Sequence, residues 1–135
     1  MLKDLRRLLQ GETRTKETKE EFDWEEKNRE LIALIRTRKV DEAVKLGQEL
    51  LDYVDRKYKK DSREKATTYN NMGMAFLLAK EYALARECFE QALEMRKRIF
   101  GENHNEVAVI LLNLSQLYRV QAQEIMALNR VETTE

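Results

Sequence analysis

The sequence predicts an all-α protein, built as an α-solenoid of antiparallel helix pairs with terminal helices. The chain of 135 residues contains no proline and only four glycines, too few turn-forming residues for a β-rich fold. Apolar residues recur at steps of three and four through most of the chain, which is the spacing of amphipathic helices. A shift of 42 residues superposes the predicted helix pairs, as expected of a helical repeat protein.

Composition narrows the classes of function. Charged residues make up 37% of the chain and apolar residues 42%, a mixture typical of a helical domain with a charged surface. Basic and acidic residues number 25 each, so the charge gives no support for binding nucleic acid or an anionic membrane. The N-terminus lacks a secretory signal, and no apolar run reaches the roughly 18 residues of a membrane span. Because Cys88 is the one cysteine, an intrachain disulfide is impossible, and a reducing compartment is compatible with this composition. We expect a cytoplasmic protein without a membrane span.

Residues 1–21 are expected to form a separate segment ahead of the repeat domain, which is predicted over residues 22–135. Leucines at helical spacing predict a short amphipathic helix in residues 1–10: Leu2, Leu5, Leu8 and Leu9. So short a helix is not stable alone in water. Its leucines should therefore cover the core of this chain or of a neighbouring copy, a membrane-surface anchor being the lesser alternative. Residues 11–21 carry no large apolar side chain and predict a charged linker.

Periodicity and end signals divide the repeat domain into helices. The predicted helices cover residues 22–37, 40–59, 62–79, 81–100 and 105 to about 130. The expected N-caps of the second, third and fifth helices are, in order, Thr37 or Asp41, Asp61, and Asn103 or Asn105. Gly101 should end the fourth helix, because glycine readily adopts the left-handed conformation found there.

The last helix has a predicted core face of its own. That face consists of Val107, Ala108, Leu111, Leu114 and Tyr118. The stretch 121–124 contains no glycine, proline, asparagine or aspartate, and its residue types are compatible with a helix. These residues favour a helix that runs unbroken, while a turn near Ala122 stays open as the alternative.

The evidence for the repeat is a set of similar residues that lie 42 positions apart. Residues that fall together are Leu34, Phe76 and Tyr118, then Ala43, Ala85 and Ala127, then Asn71 and Asn113. The best-kept copy, Tyr69–Ala92, resembles a tetratricopeptide repeat. The residues that carry this resemblance are Gly73, Phe76, Tyr82, Ala85, Phe89 and Ala92.

The spacing of this copy also resembles one variety of that family. The long interval from Ala92 to His104 is similar to the kinesin-light-chain type, which lengthens the second helix and usually follows the histidine with proline. Here Asn105 stands in place of the proline. The resemblance is strong over residues 66–121 and weaker over 25–65, where Gly47 stands where an aromatic residue is expected. It lapses after residue 121, where Ala122 and Glu124 replace the usual turn glycine and aromatic residue, and residues 1–21 lie outside it.

The resemblance implies about two and a half helix pairs in a curved stack, with a concave groove that binds a peptide or helix of a partner protein. The residues expected to bind the partner in this groove are Asn28, Arg36, Asn70, Asn71, Met74, Leu77, Asn113, Gln116 and Arg119. The same side of the first helices is expected to present Ile32, Ile35, Thr67 and Leu112. Asparagine amides donate and accept, which suits a peptide backbone, and methionine adapts to varied shapes. The alternative for Asn71 and Asn113 is that they bridge neighbouring helices.

The residue types give no catalytic constellation. His104 is the one histidine and is expected to have a structural role near a helix start. Cys88 is expected to be a packed or half-exposed thiol, and Trp24 a core or cap residue. No metal-ligand spacing, phosphate loop or nucleophile motif occurs. We therefore expect a non-catalytic adaptor or scaffold without cofactor or metal. The alternatives are a self-assembly module, a homo-oligomer that pairs through its terminal helices, and a regulatory domain of a larger complex.

Overall fold

The computed structural model describes residues 22–134, with side chains described up to residue 130. The helix predicted over residues 1–10 and the linker over 11–21 lie outside the described residues. The helices are α1 (Trp24–Arg36), α2 (Val40–Lys57), α3 (Arg63–Leu78), α4 (Tyr82–Phe100) and α5 (Asn105–Thr134). The five helices predicted for the repeat domain are confirmed, and the described part of the chain contains no strand.

The helices stack in chain order, each packed against the next. In addition, α1 approaches α3 and α3 approaches α5, whereas α2 and α4 make no such close backbone approach in the part of the chain that the structure describes. The first helix of each pair therefore lies on the inner side of the curve, and the second helices spread apart on the outer side. This is the arrangement expected of an α-solenoid.

Two apolar clusters hold the stack together. Phe89 is fully buried between α3, α4 and α5, where it packs with Ile110 and Leu117. The second cluster joins α1 and α2 to α3, and Trp24 packs against it as predicted. The indole N–H of Trp24 donates to the hydroxyl of the buried Thr68, with 2.8 Å between the heavy atoms. The polar edge of the tryptophan is therefore satisfied within the core.

The turns inside the two complete pairs share one geometry. Arg38 has a φ of 58° and Lys80 a φ of 62°, and both lie just after the end of a first helix. The next backbone N–H then donates to a carbonyl five residues earlier, from Lys39 to Leu34 and from Glu81 to Phe76, each at 2.9 Å. This is a Schellman motif with a left-handed residue that is not glycine. It recurs at the offset of the sequence repeat.

The N-caps predicted for α2 and α3 are wrong. The residue predicted for α3 is held in an ion pair, and α2 begins without a side-chain cap. Ser62 caps α3 by accepting from the Lys65 N–H at 3.0 Å. Asp61 instead pairs with Arg98 on α4, whose guanidinium lowers the pKa of that carboxyl. For α2 no side chain accepts a cap hydrogen bond. Thr37 donates its hydroxyl proton to the Ala33 carbonyl, and Asp41 lies inside the first turn.

Of the predictions for the two helix ends beside the last loop, the one for the end of α4 is confirmed and the one for the start of α5 is wrong. Gly101 ends α4 with a φ of 90°, as predicted. At the start of α5 the capping group is His104, whose Nδ1 accepts from the Glu106 N–H at 3.0 Å, and not Asn103 or Asn105. The ring of His104 also stacks on Phe100, with centroids 4.4 Å apart. The expected structural role of His104 near a helix start is therefore confirmed.

Helix α5 runs unbroken through residue 122, so the open alternative of a turn there is excluded. Its predicted core face is only partly right. Val107 is buried and Leu114 half-buried, but Ala108, Leu111 and Tyr118 are exposed, while Ile110 and Leu117 point inward. The reason is that the predicted face needs a second helix folded back on α5, and α5 continues straight instead. Its straight course carries Glu124 to the hydroxyl of Tyr82, which donates to that carboxylate.

Candidate functional site

The concave side of the stack is formed by α1, α3 and α5, the three helices that approach each other there. Ile32, Met74 and Gln116 are related by the 42-residue offset and lie along it. Residues within about one helical turn of them extend the row. This groove wall consists of Ile32, Met74, Leu78, Val109, Leu112 and Gln116. Ile32, Met74 and Leu78 are half-buried, whereas the three residues on α5 are exposed. The wall therefore becomes more accessible toward α5.

A ladder of asparagine amides joins the three inner helices. The Nδ2 of Asn71 donates to the Oδ1 of Asn28 at 2.7 Å, and the Nδ2 of Asn113 donates to the Oδ1 of Asn70 at 2.8 Å. Both bonds span 43 residues, so the second repeats the first one helix pair later. The interpretation of Asn71 and Asn113 as bridges between neighbouring helices is confirmed. Each still has an amide oxygen that these two bonds do not use.

Two residues predicted to face the groove are buried. Asn70 and Leu77 each expose 8% of their surface, so the expectation that they face solvent is wrong. Both lie on the side of α3 that α5 covers. Asn70 binds Asn113, and Leu77 packs in the cluster that contains Ile110. They contribute to the position of α5 relative to α3.

The other predicted groove residues remain at the surface. Arg36, Gln116 and Arg119 are exposed, and Asn28 and Met74 are half-buried. Two wall residues were missed by sequence reasoning, Leu78 and Val109. A signal for both exists, since they lie four residues after Met74 and three before Leu112, one helical turn away on the same face.

Arg96 is a buried charge that sequence reasoning also missed. Its guanidinium donates to the Glu106 carbonyl at 3.0 Å and to the Thr67 hydroxyl at 3.4 Å, and it lies 3.3 Å from a carboxylate oxygen of Glu106. Burial lowers the pKa of Arg96, while the Glu106 carboxylate acts in the opposite direction. The residue thus joins α3, α4 and the start of α5. An arginine on a helix rich in charged residues usually lies on a solvated face. The sequence pattern therefore did not indicate that Arg96 is buried.

The thiol of Cys88 is poorly placed for nucleophilic chemistry. Cys88 is buried, and burial raises the pKa of its thiol to about 11, so the thiolate is scarce at neutral pH. No group of acidic, histidine and cysteine side chains in the described chain is arranged to hold a metal ion. On the outer side, Val40, Val44 and Leu84 line a shallow cleft between α2 and the turn from α3 to α4. What the arrangement offers is surface for another molecule.

Comparison with known protein families finds a match over most of the chain. A family model described as the tetratricopeptide repeat matches residues 32–98 and residues 66–134. The two matches overlap in the copy that contains α3 and α4, and together they cover well over half of the chain. None of the curated proteins matches the chain. None of the helices in the described part of the chain is long and apolar enough to cross a membrane.

Proposed function

Because the chain belongs to the tetratricopeptide repeat family, whose repeats generally mediate protein–protein interactions, we propose that it is a non-catalytic adaptor. It holds a peptide or helix of a partner protein in the concave groove. The observation that carries this proposal is the groove wall. Leu112 exposes 69% of its surface on that wall, with Val109 one turn away and Met74 on the neighbouring helix.

The chemistry of the wall favours an apolar partner segment. Exposed leucine and valine side chains with a half-buried methionine suit the apolar face of an amphipathic helix or alternate side chains of an extended strand. The unused amide oxygens of Asn71 and Asn113 flank the row and can accept from a peptide N–H. The groove spans three helices, so the buried area is small and the affinity moderate.

The proposal does not include recognition of a terminal carboxylate. Arg36 lies at the end of α1, beside Arg38 and Lys39 of the following turn, whereas Arg119 lies on α5, a helix that α1 does not approach. The two arginines therefore do not combine into one basic cluster. Binding that depends on apolar contact and neutral amides should change little with ionic strength. We also propose that the repeats are of the variety with a lengthened second helix, since α2 and α4 contain 18 and 19 residues. A cytoplasmic location stays part of the proposal.

The first prediction concerns the groove itself. We expect Leu112→Glu and Met74→Glu to remove the partners that the wild-type chain captures from a lysate of its source cells, identified by mass spectrometry. A carboxylate buried without a counter-charge is costly, so a tenfold or larger loss is expected for each. The matched control is Leu84→Glu, which places the same charge at an exposed leucine on the outer cleft.

Leu84→Glu should keep the same partners, and circular dichroism should show equal helicity for all three variants. Partners that survive both groove substitutions would contradict the proposed groove. Partners lost with Leu84→Glu alone would move the binding site to the outer cleft.

A further inference from the structure

One face of α5 is apolar, and no other helix of the described residues covers it along most of its length. Its residues recur at alternating steps of three and four. This set, the α5 seam, consists of Ala108, Leu111, Ser115, Tyr118, Ala122 and Ile125. All six are exposed, and the three large ones expose 50%, 49% and 54% of their surface in chain order. Stripes of large apolar side chains at this level of exposure usually mark an interaction site.

The spacing of the seam is that of a coiled-coil helix. Steps of three and four place every member at an a or d position of a heptad, and the seam is about 26 Å long at 1.5 Å per residue. Small and large side chains alternate along it. Ala108, Ser115 and Ala122 occupy one position type, whereas the three large residues occupy the other.

The surroundings of the seam are depleted in charge. Between Val107 and Gln123, Arg119 is the one charged residue, in a chain that is 37% charged. A helix face made for water would carry the mixed charges that this chain has elsewhere. Loss of charge at the centre of a surface patch is the compositional mark of a protein interface.

We propose that the seam pairs with the same seam of a second copy, so that the chain forms an antiparallel, two-fold symmetric dimer through α5. In this register Ala108 faces the partner's Ile125, Leu111 faces the partner's Ala122, and Ser115 faces the partner's Tyr118. The same three contacts recur in reverse, as a two-fold interface requires. Every large side chain then meets a small one, which packs without voids.

Other arrangements of two copies fit less well. A parallel pair would set Tyr118 against the partner's Tyr118 and leave the small residues facing each other across gaps. An antiparallel pair shifted by one heptad would bring Arg119 next to the partner's Arg119 at the symmetry axis, which is a like-charge contact. It would also place Leu111 opposite the partner's Asn129. The chosen register avoids both.

A second copy also fits better than the chain's own N-terminal segment. A helix over residues 1–10 would be about 15 Å long, little more than half of the seam. Its leucines provide no small residues to receive Tyr118 and Leu111. Besides the three large seam residues, Met126 and Leu128 are exposed beside the seam. At roughly 80 Å² each, these five side chains bury on the order of 800 Å² in two copies, which is the range of a weak dimer.

The second prediction tests the dimer with the full chain. Light scattering coupled to size exclusion, over loading concentrations from about 1 to about 100 μM, should show a monomer–dimer equilibrium. Leu111→Glu should shift its midpoint at least about tenfold toward monomer. Because Leu111 is half exposed in the monomer, helicity should be unchanged. The matched control is Val109→Glu, on the groove side of the same helix, which should leave the equilibrium in place.

Cross-linking checks the orientation. A mixture of the Leu111→Cys and Ala122→Cys chains should form a disulfide-linked dimer on mild oxidation, whereas neither chain alone should, because like positions lie about 16 Å apart. The buried Cys88 does not interfere. The proposal is overturned by a monomer at every concentration, by cross-linking of Leu111→Cys alone, or by a dimer that resists Leu111→Glu. A dimer dissolved instead by Leu5→Glu with Leu8→Glu would assign the contact to residues 1–10.

Discussion

Gly73 illustrates how single residues fix the contact between paired helices. A Cβ atom at this position would lie 2.6 Å from two ring atoms of Phe89, which is fully buried and cannot move aside. The glycine therefore lets the ring of α4 lie directly on the backbone of α3. This contact explains why a small residue at position 73 accompanies a large one at position 89 within Tyr69–Ala92.

The third prediction follows from that contact. Gly73→Ala should lower the free energy of unfolding by about 1–3 kcal/mol, because overpacking outweighs the gain in helix propensity. Urea denaturation measures the difference. Gly47→Ala is the comparison variant, and a smaller loss is expected for it. Its added methyl meets the sulfur of Met72, which is also fully buried but belongs to a flexible thioether and not to a rigid ring. A Gly73→Ala protein as stable as the wild type would show that the two helices can separate without cost.

At the scale of helices and turns, the two Schellman turns carry strain. Left-handed backbone costs about 1 kcal/mol at a residue with a Cβ, and both Arg38 and Lys80 adopt it. The corresponding position in the third copy is Ala122, where the chain continues as a helix. Alanine is the best helix former, and among the described residues no second helix packs back on α5 to offset the cost of a turn.

The fourth prediction tests that strain. Lys80→Gly should raise the free energy of unfolding by about 1 kcal/mol, because glycine adopts a positive φ without steric cost. Ala79→Gly, one residue earlier at an ordinary φ of −77°, should instead lower it by about 0.5–1 kcal/mol. Both are read from urea denaturation midpoints. Equal effects of the two glycines would mean that the left-handed turn is not strained.

Most of the helical architecture could be predicted from the sequence, because apolar spacing reports which face a helix buries. The cap of α3 could not be predicted, because Asp61 accepts a hydrogen bond from Arg98, a residue that is distant in the chain. The core face of α5 was misplaced for a related reason. Leu111 and Tyr118 resemble residues that pack under a second helix, and only the tertiary structure shows that this helix is absent from the described residues.

At the scale of the whole molecule, the sequence predicted the middle of the groove wall correctly but not the residues at its edge. Met74 lies on the groove wall as its helical position indicates. Asn70 and Leu77 are only a few residues away on the same helix, yet α5 covers them. A pattern within one helix places a side chain on a face, but the neighbouring helix decides whether a residue at the edge of that face is covered.

The fifth prediction concerns coupling along the stack. Asn113→Ala removes the donor that satisfies the buried Asn70 amide, so it should cost about 1–2 kcal/mol of stability. In a stack where each pair contacts only its neighbours, the loss should appear first as faster amide hydrogen exchange in α5. The control is Asn103→Ala, an exposed loop residue. Unchanged exchange in α5 would show that the amide bond does not hold this helix.

The amide ladder has a direction, since the later helix always donates to the earlier one. One offset before Asn71 the donor position is Arg29, and one offset after Asn70 the acceptor position is Leu112. Adding a second copy head to tail would therefore set an arginine against a leucine where an amide pair belongs, leaving the guanidinium without an acceptor. Head-to-tail stacking of copies into open-ended fibres is therefore disfavoured by the residue types at the two ends of the ladder. A two-fold interface is not affected, because it pairs the same surface of both copies and ends with a dimer.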